Sequence, residues 1–357
     1  MPAKTILHLN NQFALANGLS RTIQLVTSEL DGKYRFLLYA DDVESAAWCF
    51  GQKNLLSFAF INKKWRNILS PLLLFYLLRI VVIYKVQIIH SHHRYYDLLA
   101  GLISLITGAK FVTSVQVQVD DNAFLSFKSR NIITCSNAIK NHLVNHYKVN
   151  PLNVTVIYNF IHPIVVEKLS TRGIDSILHQ KRFSFAFFGR FDNPEKSIDV
   201  ILKAITKLEN QSISILFLGK GAEEESIKKF SESSQIEITV LNSQSNVFDY
   251  YPIVDCVLLP SRIDPFPLVM LEAGYFGKPF IGGNTGGIAE LIEHGKTGLL
   301  VEPGNAEDLA NAMLYVLEHR EEAELMGKEF QKVIKSRFLA EHIIPQYESY
   351  YNNLLNN

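Results

Sequence analysis

The stretch FSFAFFGRFDNPEKSIDVILKAI, Phe183–Ile205, sets the fold class. Its first residues are apolar in a continuous run, which marks a strand buried on both faces rather than one with a wet side. The strand is expected to end at Gly189, and a helix is expected to begin near Pro194. A strand passing through a short polar loop into a helix is one unit of a parallel sheet covered by helices.

The same pattern recurs on either side. The runs TILHL, YRFLLYA, VQIIHSH, AKFVTSVQV, NIITCS and NVTVIYN read as strands in the first half. In the second half FSFAFFG, ISILFLG, IEITVLN, DCVLLPS and KPFIGG do so. Two β/α series in 357 residues predict two doubly wound α/β domains. The expected boundaries are 1–165, 166–335, and a C-terminal helix over 336–357 that packs back towards the first domain. That last helix is expected to break near Pro345, and another, over about 306–319, is expected to be capped by Asn305.

Apolar residues make up 48% and charged residues 20%, an ordinary globular balance. The net charge of zero hides an asymmetry: residues 1–170 hold 17 Lys+Arg against 9 Asp+Glu, and residues 171–357 hold 18 against 26. The halves therefore suit different partners. No basic-aromatic recognition motif accompanies the basic half, so nucleic acid is not an expected partner. Cys49, Cys135 and Cys256 lie far apart, which predicts neither a disulfide framework nor a zinc site. The opening residues, MPAKTILHLNNQF, read as a strand start and not as a signal peptide. Between Arg66 and Arg79 the uncharged run is 12 residues, too short to span a bilayer. Lys63, Lys64 and Arg66 around Trp65, followed by Leu72, Phe75 and Tyr76, suit peripheral membrane contact through residues 63–79. The expected location is cytoplasmic, at the inner face of the membrane.

The densest punctuation falls in DPFPLVMLEAGYFGKP, Asp264–Pro279. It follows the strand DCVLLPS, so Asp264 sits in a loop at a strand's carboxyl end, where open α/β sheets bind ligands. Pro267 suits the start of a helix that Gly277 ends, which places Glu272 about one turn inside. The free amides of Leu268 and Val269 then form a helix-terminus anion site between the two acids. Gly282, Gly283, Gly286 and Gly287 ahead of the next helix let a second backbone approach a ligand. Arg190 and Lys196 flank the first loop and together suit a diphosphate. Each feature alone is common; the three in one domain carry the reading.

These segments, with LLPSRIDPFPLVMLEAGYFGKPFIGGNTGGIAELIEHGKTGLLVEPGNAEDLANAM and GKGAEEESIKKF, resemble the C-terminal domain of GT-B glycosyltransferases of the retaining family 4 group. The resemblance extends over about 181–335, and more faintly over 1–165 through QIIHSHHRYYDLLAGLIS and IITCSNAIKNHLVNHYKVNPLNVTVIYN. It implies two Rossmann-like domains facing across a cleft and a nucleotide-diphosphate sugar as donor. Asp264 would contact the donor sugar and Glu272 the ribose. Arg190, Lys196 and the amides of Leu268 and Val269 would meet the diphosphate. Phe266, Gly286, Gly287 and Glu290 would border the donor pocket, and Gly18 would match the glycine loop of the first domain. The acceptor, a saccharide or a lipid-linked molecule, would lie on the first domain near His92, His93 and Gln116.

The chain also departs from the family pattern. Asp264-Pro265 stands where Glu-Gly is usual, Gln116 near a usual histidine, and Phe160-Ile161-His162 where Gly-Val-Asp is usual. A metal at His90, His92 and His93 finds no cysteine and few acids nearby, and the resemblance implies neither metal nor cofactor. Two other readings share parts of this pattern: a nucleotide-sugar epimerase of the same fold, and a non-catalytic sugar-nucleotide binder. A dinucleotide oxidoreductase is disfavoured because no G-x-G-x-x-G follows the first strand.

Overall fold

The structure, a computed structural model, describes residues 4–13, 18–43, 57–58, 70–118, 127, 129–163, 182–242 and 247–356. Lys63, Lys64, Trp65 and Arg66 lie outside the described residues. By contact the chain divides into two compact units, residues 1–158 with 343–357, and residues 159–342.

The first unit holds a seven-stranded parallel sheet: β1 (Lys4–Phe13), β2 (Tyr34–Val43), β3 (Ser57–Phe58), β4 (Val86–Ser91), β5 (Lys110–Val115), β6 (Ile132–Thr134) and β7 (Val154–Val156). Their spatial order is β3-β2-β1-β4-β5-β6-β7. The sequence order reverses between β1 and β4, where His8 pairs in register with His90. Helices α1 (Gly18–Glu29), α2 (Ser70–Ile83), α3 (Arg94–Thr107) and α4 (Asn137–Tyr147) cover the sheet. On one face Leu73, Leu77 and Ile80 of α2 and Leu99 and Ile103 of α3 pack on Leu7, Leu37 and Ile89 of the strands. On another, Ile23 of α1 meets Phe13 and Leu38.

The second unit has six parallel strands, β8 (Phe183–Arg190), β9 (Ile213–Lys220), β10 (Glu237–Leu241), β11 (Cys256–Leu259), β12 (Phe280–Gly283) and β13 (Leu299–Val301). They lie in the order β10-β9-β8-β11-β12-β13. The continuous apolar reading of FSFAFFG holds: Phe183 to Phe188 are all buried. Helices α5 (Ile198–Thr206), α6 (Glu224–Ser233), α7 (Leu268–Tyr275), α8 (Gly286–Leu291), α9 (Ala306–Glu318) and α10 (Arg320–Arg337) flank them. Asn305 caps α9 as expected, its Oδ1 accepting from the Glu307 and Asp308 amides at 3.0 and 3.1 Å. Both sheets thus reverse direction between the strand that begins the series and the fourth, which is where doubly wound folds open a crevice.

Two expectations are corrected. The helix expected near Pro194 starts at Ile198, because the Asp192 and Asn193 side chains take the Lys196 and Asp199 amides and hold 192–197 as a capped loop. The last helix, α11 (Ala340–Asn356), runs through Pro345 without a break. Pro345 sits in its second turn and removes a single amide. Buried Ile343, Ile344, Tyr347 and Tyr351 hold the helix through tertiary packing. From Ile343 onward it belongs to the first unit, where the Tyr34 hydroxyl donates to Asn352 Oδ1 at 2.9 Å.

Candidate active site

The crevice of the second unit opens between the carboxyl ends of β8 and β11. Two glycines set its floor. A Cβ at Gly219 would collide with the Gly189 carbonyl, and one at Gly221 with the Phe191 carbonyl. The loop after β8 is therefore pressed onto the end of β9. Ser197 closes that loop in the left-handed region, at φ 60°.

This geometry aims Lys196 across the crevice. Its Nζ forms an ion pair with Asp264 Oδ2, the side chains being 16% and 5% exposed. The Ser261 hydroxyl also donates to Asp264 Oδ2, at 3.4 Å. Arg190 does not join the pair. Its guanidinium, 65% exposed, contacts Asp192 at 3.0 Å and Glu195 at 2.6 Å. Such exposed pairs contribute little stability and exchange partners readily.

A fork that the sequence did not reveal ties the two loops together. Arg262 donates from Nη1 and Nη2 to the two oxygens of Asp199 at 2.7 and 2.8 Å, and its own amide donates to the Glu195 carbonyl at 2.8 Å. These hydrogen bonds hold the Asp199 carboxyl below its usual range. Because Asp199 lies in the first turn of α5 and Arg262 stands two residues before Asp264, the fork fixes Lys196 relative to Asp264.

Helix α7 begins at Leu268 behind Pro267, and no side chain caps it. The amides of Leu268 and Val269 thus have no intrahelical partner and meet the crevice with the positive end of the helix dipole. One turn in, Glu272 is 2% exposed and accepts from the Tyr251 hydroxyl at 2.7 Å. Tyr251 is itself stacked on Phe276, with ring centroids 5.1 Å apart. Tyr251 stands 21 residues from Glu272, and nothing in the local pattern pairs them.

The glycine loop does something more specific than expected. Gly286, at φ 50°, and Gly287 press on the chain's own Asp264 and Pro265 carbonyls, with which a Cβ would collide. The Gly287 amide donates to the Asp264 carbonyl at 3.0 Å. The glycines thereby set the backbone that carries the acid. Phe266 is buried against Phe338, and its carbonyl accepts from Asn159 Nδ2 at 2.8 Å. Glu290 is exposed on α8.

The first unit's residues gather at its own topological switch. Gly18 is the first residue of α1. His8 Nδ1 and His92 Nε2 share a hydrogen bond of 2.8 Å, and the His92 ring stacks on His90 at 4.2 Å. His90 spends both nitrogens, on the Tyr351 hydroxyl at 2.8 Å and on Ser114 Oγ at 2.7 Å. Burial pushes His8 down to about 3 and holds His90 and His92 well below the usual histidine range, so all three rings are neutral. One nitrogen from each lies within 4.8 Å of the others, a grouping of metal-ligand type among the described residues. Gln116 borders the small cavity beside them, about 10 Å³, room for roughly one water molecule. His93 instead caps α3, its Nδ1 accepting from the Tyr95 amide at 3.2 Å.

Comparison with known proteins agrees with this architecture. Residues 16–163 match the family described as Glycosyltransferase Family 4, and residues 174–333 match Glycosyl transferases group 1. Over 228 residues the chain is 29% identical to the N-acetyl-alpha-D-glucosaminyl L-malate synthase of Bacillus anthracis, covering 61% of this chain and 59% of that protein. It is 31% identical over 137 residues to the sulfoquinovosyl transferase SQD2 of Arabidopsis thaliana, covering 38% and 26%. The chain thus matches less than two thirds of the length of either relative. Among solved structures, a glycosyltransferase from Rickettsia africae superposes over the whole of both chains with a TM-score of 0.84 at 20% identity. The Anabaena protein HepE in complex with UDP-glucose superposes over 98% of this chain and 99% of its own, with a TM-score of 0.82 at 17% identity. With both units matched in order and both sheets wound alike, the chain belongs to the GT-B group 1 glycosyltransferases.

Proposed function

We propose that this glycosyltransferase moves a hexose from a nucleotide-diphosphate sugar to an acceptor hydroxyl, with retention at the anomeric carbon and without a metal. The observation that carries the reading is the Lys196–Asp264 pair set beside the uncapped end of α7. A leaving diphosphate needs positive charge where its own charge develops. Lys196 and the Leu268 and Val269 amides supply it, and Arg190 swings from its exposed partners to join them. Asp264 orients the sugar ring and is not assigned as a nucleophile. Glu272, held by Tyr251, takes the ribose. The UDP-glucose complex of HepE supports a nucleotide-sugar donor. The acceptor is a saccharide or a lipid-linked molecule held by the first unit near His92 and Gln116, in cell-surface polysaccharide or glycolipid synthesis at the cytoplasmic face of the membrane.

A thermal-shift screen with UDP-, GDP- and ADP-sugars tests this. One donor should raise the midpoint, and Glu272→Ala should weaken that donor at least tenfold. If no nucleotide sugar shifts the midpoint, the reading fails. Turnover of the donor to an isomer without acceptor would instead make the chain an epimerase.

A further inference from the structure

The two helices on one face of the first sheet are apolar on the side that faces away from it. Helix α2 spends Leu73, Leu77 and Ile80 on the core, yet Leu72, Phe75 and Val82 on its outer side are 57%, 67% and 63% exposed. Helix α3 spends Leu99 and Ile103, yet Leu102, Leu105 and Ile106 are exposed, Leu105 by 85%. Both inner stripes belong to one core cluster, so both outer stripes face the same way. An apolar helix surface on both sides is expected of a fully buried helix, and here one side is open. Exposed apolar residues normally occur singly, whereas a contiguous face marks an interaction surface.

Charge selects the occupant. Arg79 is exposed between Phe75 and Val82, Lys85 is exposed just after α2, and Lys110 follows α3. From 70 to 118 the sole acid is Asp97, which is 5% exposed. A second copy packed face to face would set these cations against their own images with no acid to pair them. A bilayer with anionic headgroups takes the apolar stripes into its boundary and pairs the cations at once.

We propose that the outward faces of α2 and α3 form the surface on which the chain docks to an anionic bilayer. It lies flat on the membrane, since no helix among the described residues is long and apolar enough to cross one. The surface stands on these residues alone and does not depend on the sugar-transfer reading.

The test is flotation of the full chain with vesicles of phosphatidylglycerol and phosphatidylcholine, and with phosphatidylcholine alone. The wild type should float with the mixed vesicles and at least tenfold less with the neutral ones. Phe75→Ser/Leu105→Ser/Ile106→Ser should lose at least tenfold in binding, and Arg79→Gln and Lys85→Gln about fivefold each. All these side chains are exposed, so thermal midpoints and nucleotide-sugar binding should stay at the wild-type values. A wild type that floats with neither vesicle overturns the proposal, as does serine-variant binding equal to wild type. A wild-type dimer that the serine variant turns into a monomer would overturn it too, by giving the face to a second copy.

Discussion

Asp264 is one methylene shorter than the glutamate usual at its place, and Pro265 removes an amide beside it. Lys196 reaches the carboxylate from the other side of the crevice, while Gly286 and Gly287 let the neighbouring turn support the backbone beneath it. His8, His90 and His92 are neutral in the fold, whereas unfolded histidine titrates near 6.5. Below that pH the unfolded chain binds protons that the folded one refuses, so their contribution is complete above 6.5 and falls as pH drops towards about 3. Asp97, pushed up to about 7 by burial, acts in the opposite sense, and three histidines outweigh it. Urea unfolding should show stability falling from pH 7 to pH 5 by on the order of 2–4 kcal/mol. His8→Phe should flatten that slope. A midpoint that does not move with pH would mean that the rings are charged or exposed in the fold.

At the scale of elements, the Arg262–Asp199 fork joins the loop carrying Lys196 to the loop carrying Asp264. Arg262→Lys keeps the charge but loses the two-pronged contact. It should cost about 1 kcal/mol of alignment, read as a roughly fivefold rise in donor KM with kcat less affected. Steady-state kinetics on the two proteins decides this, and an unchanged KM would make the fork ornamental. The fork also marks what was legible. Every apolar run read as a strand is one, and where both faces are buried, as in β8 and β9, the local trace is a continuous run. The two-residue β3 is too short to leave such a trace, and β13, the short run Leu299–Val301, went unread beside the glycine-rich turn before it. The start of α5 was misplaced because a proline that can open a helix here lies inside a side-chain-capped loop. Within the site, the residues offered by each loop could be read, but not their partners. Lys196 and Asp264 are 68 positions apart, Arg262 and Asp199 63, and only the order of the strands brings them together.

For the whole molecule, the first unit is discontinuous. It takes residues 1–158 and then residues from 343 onward, after the entire second unit. Ile343, Tyr347 and Tyr351 of α11 are 1%, 3% and 0% exposed, and Tyr351 holds His90 at the sheet's switch. Each such side chain contributes about 2–3 kcal/mol by burial. A chain ending at His342 should therefore lose protection across 1–158 while 159–342 keeps its own. Limited proteolysis with mass spectrometry reads the difference, and equal protection of both units would make the last helix dispensable.

That return of the chain has a consequence for synthesis. A ribosome delivers the first sheet early, yet the helix that closes over its histidines emerges last. The second unit can complete itself while the first waits, exposed where Tyr351 will sit. Order of manufacture and order of completion are thus reversed, and the nascent first half is the part a chaperone would need to shelter.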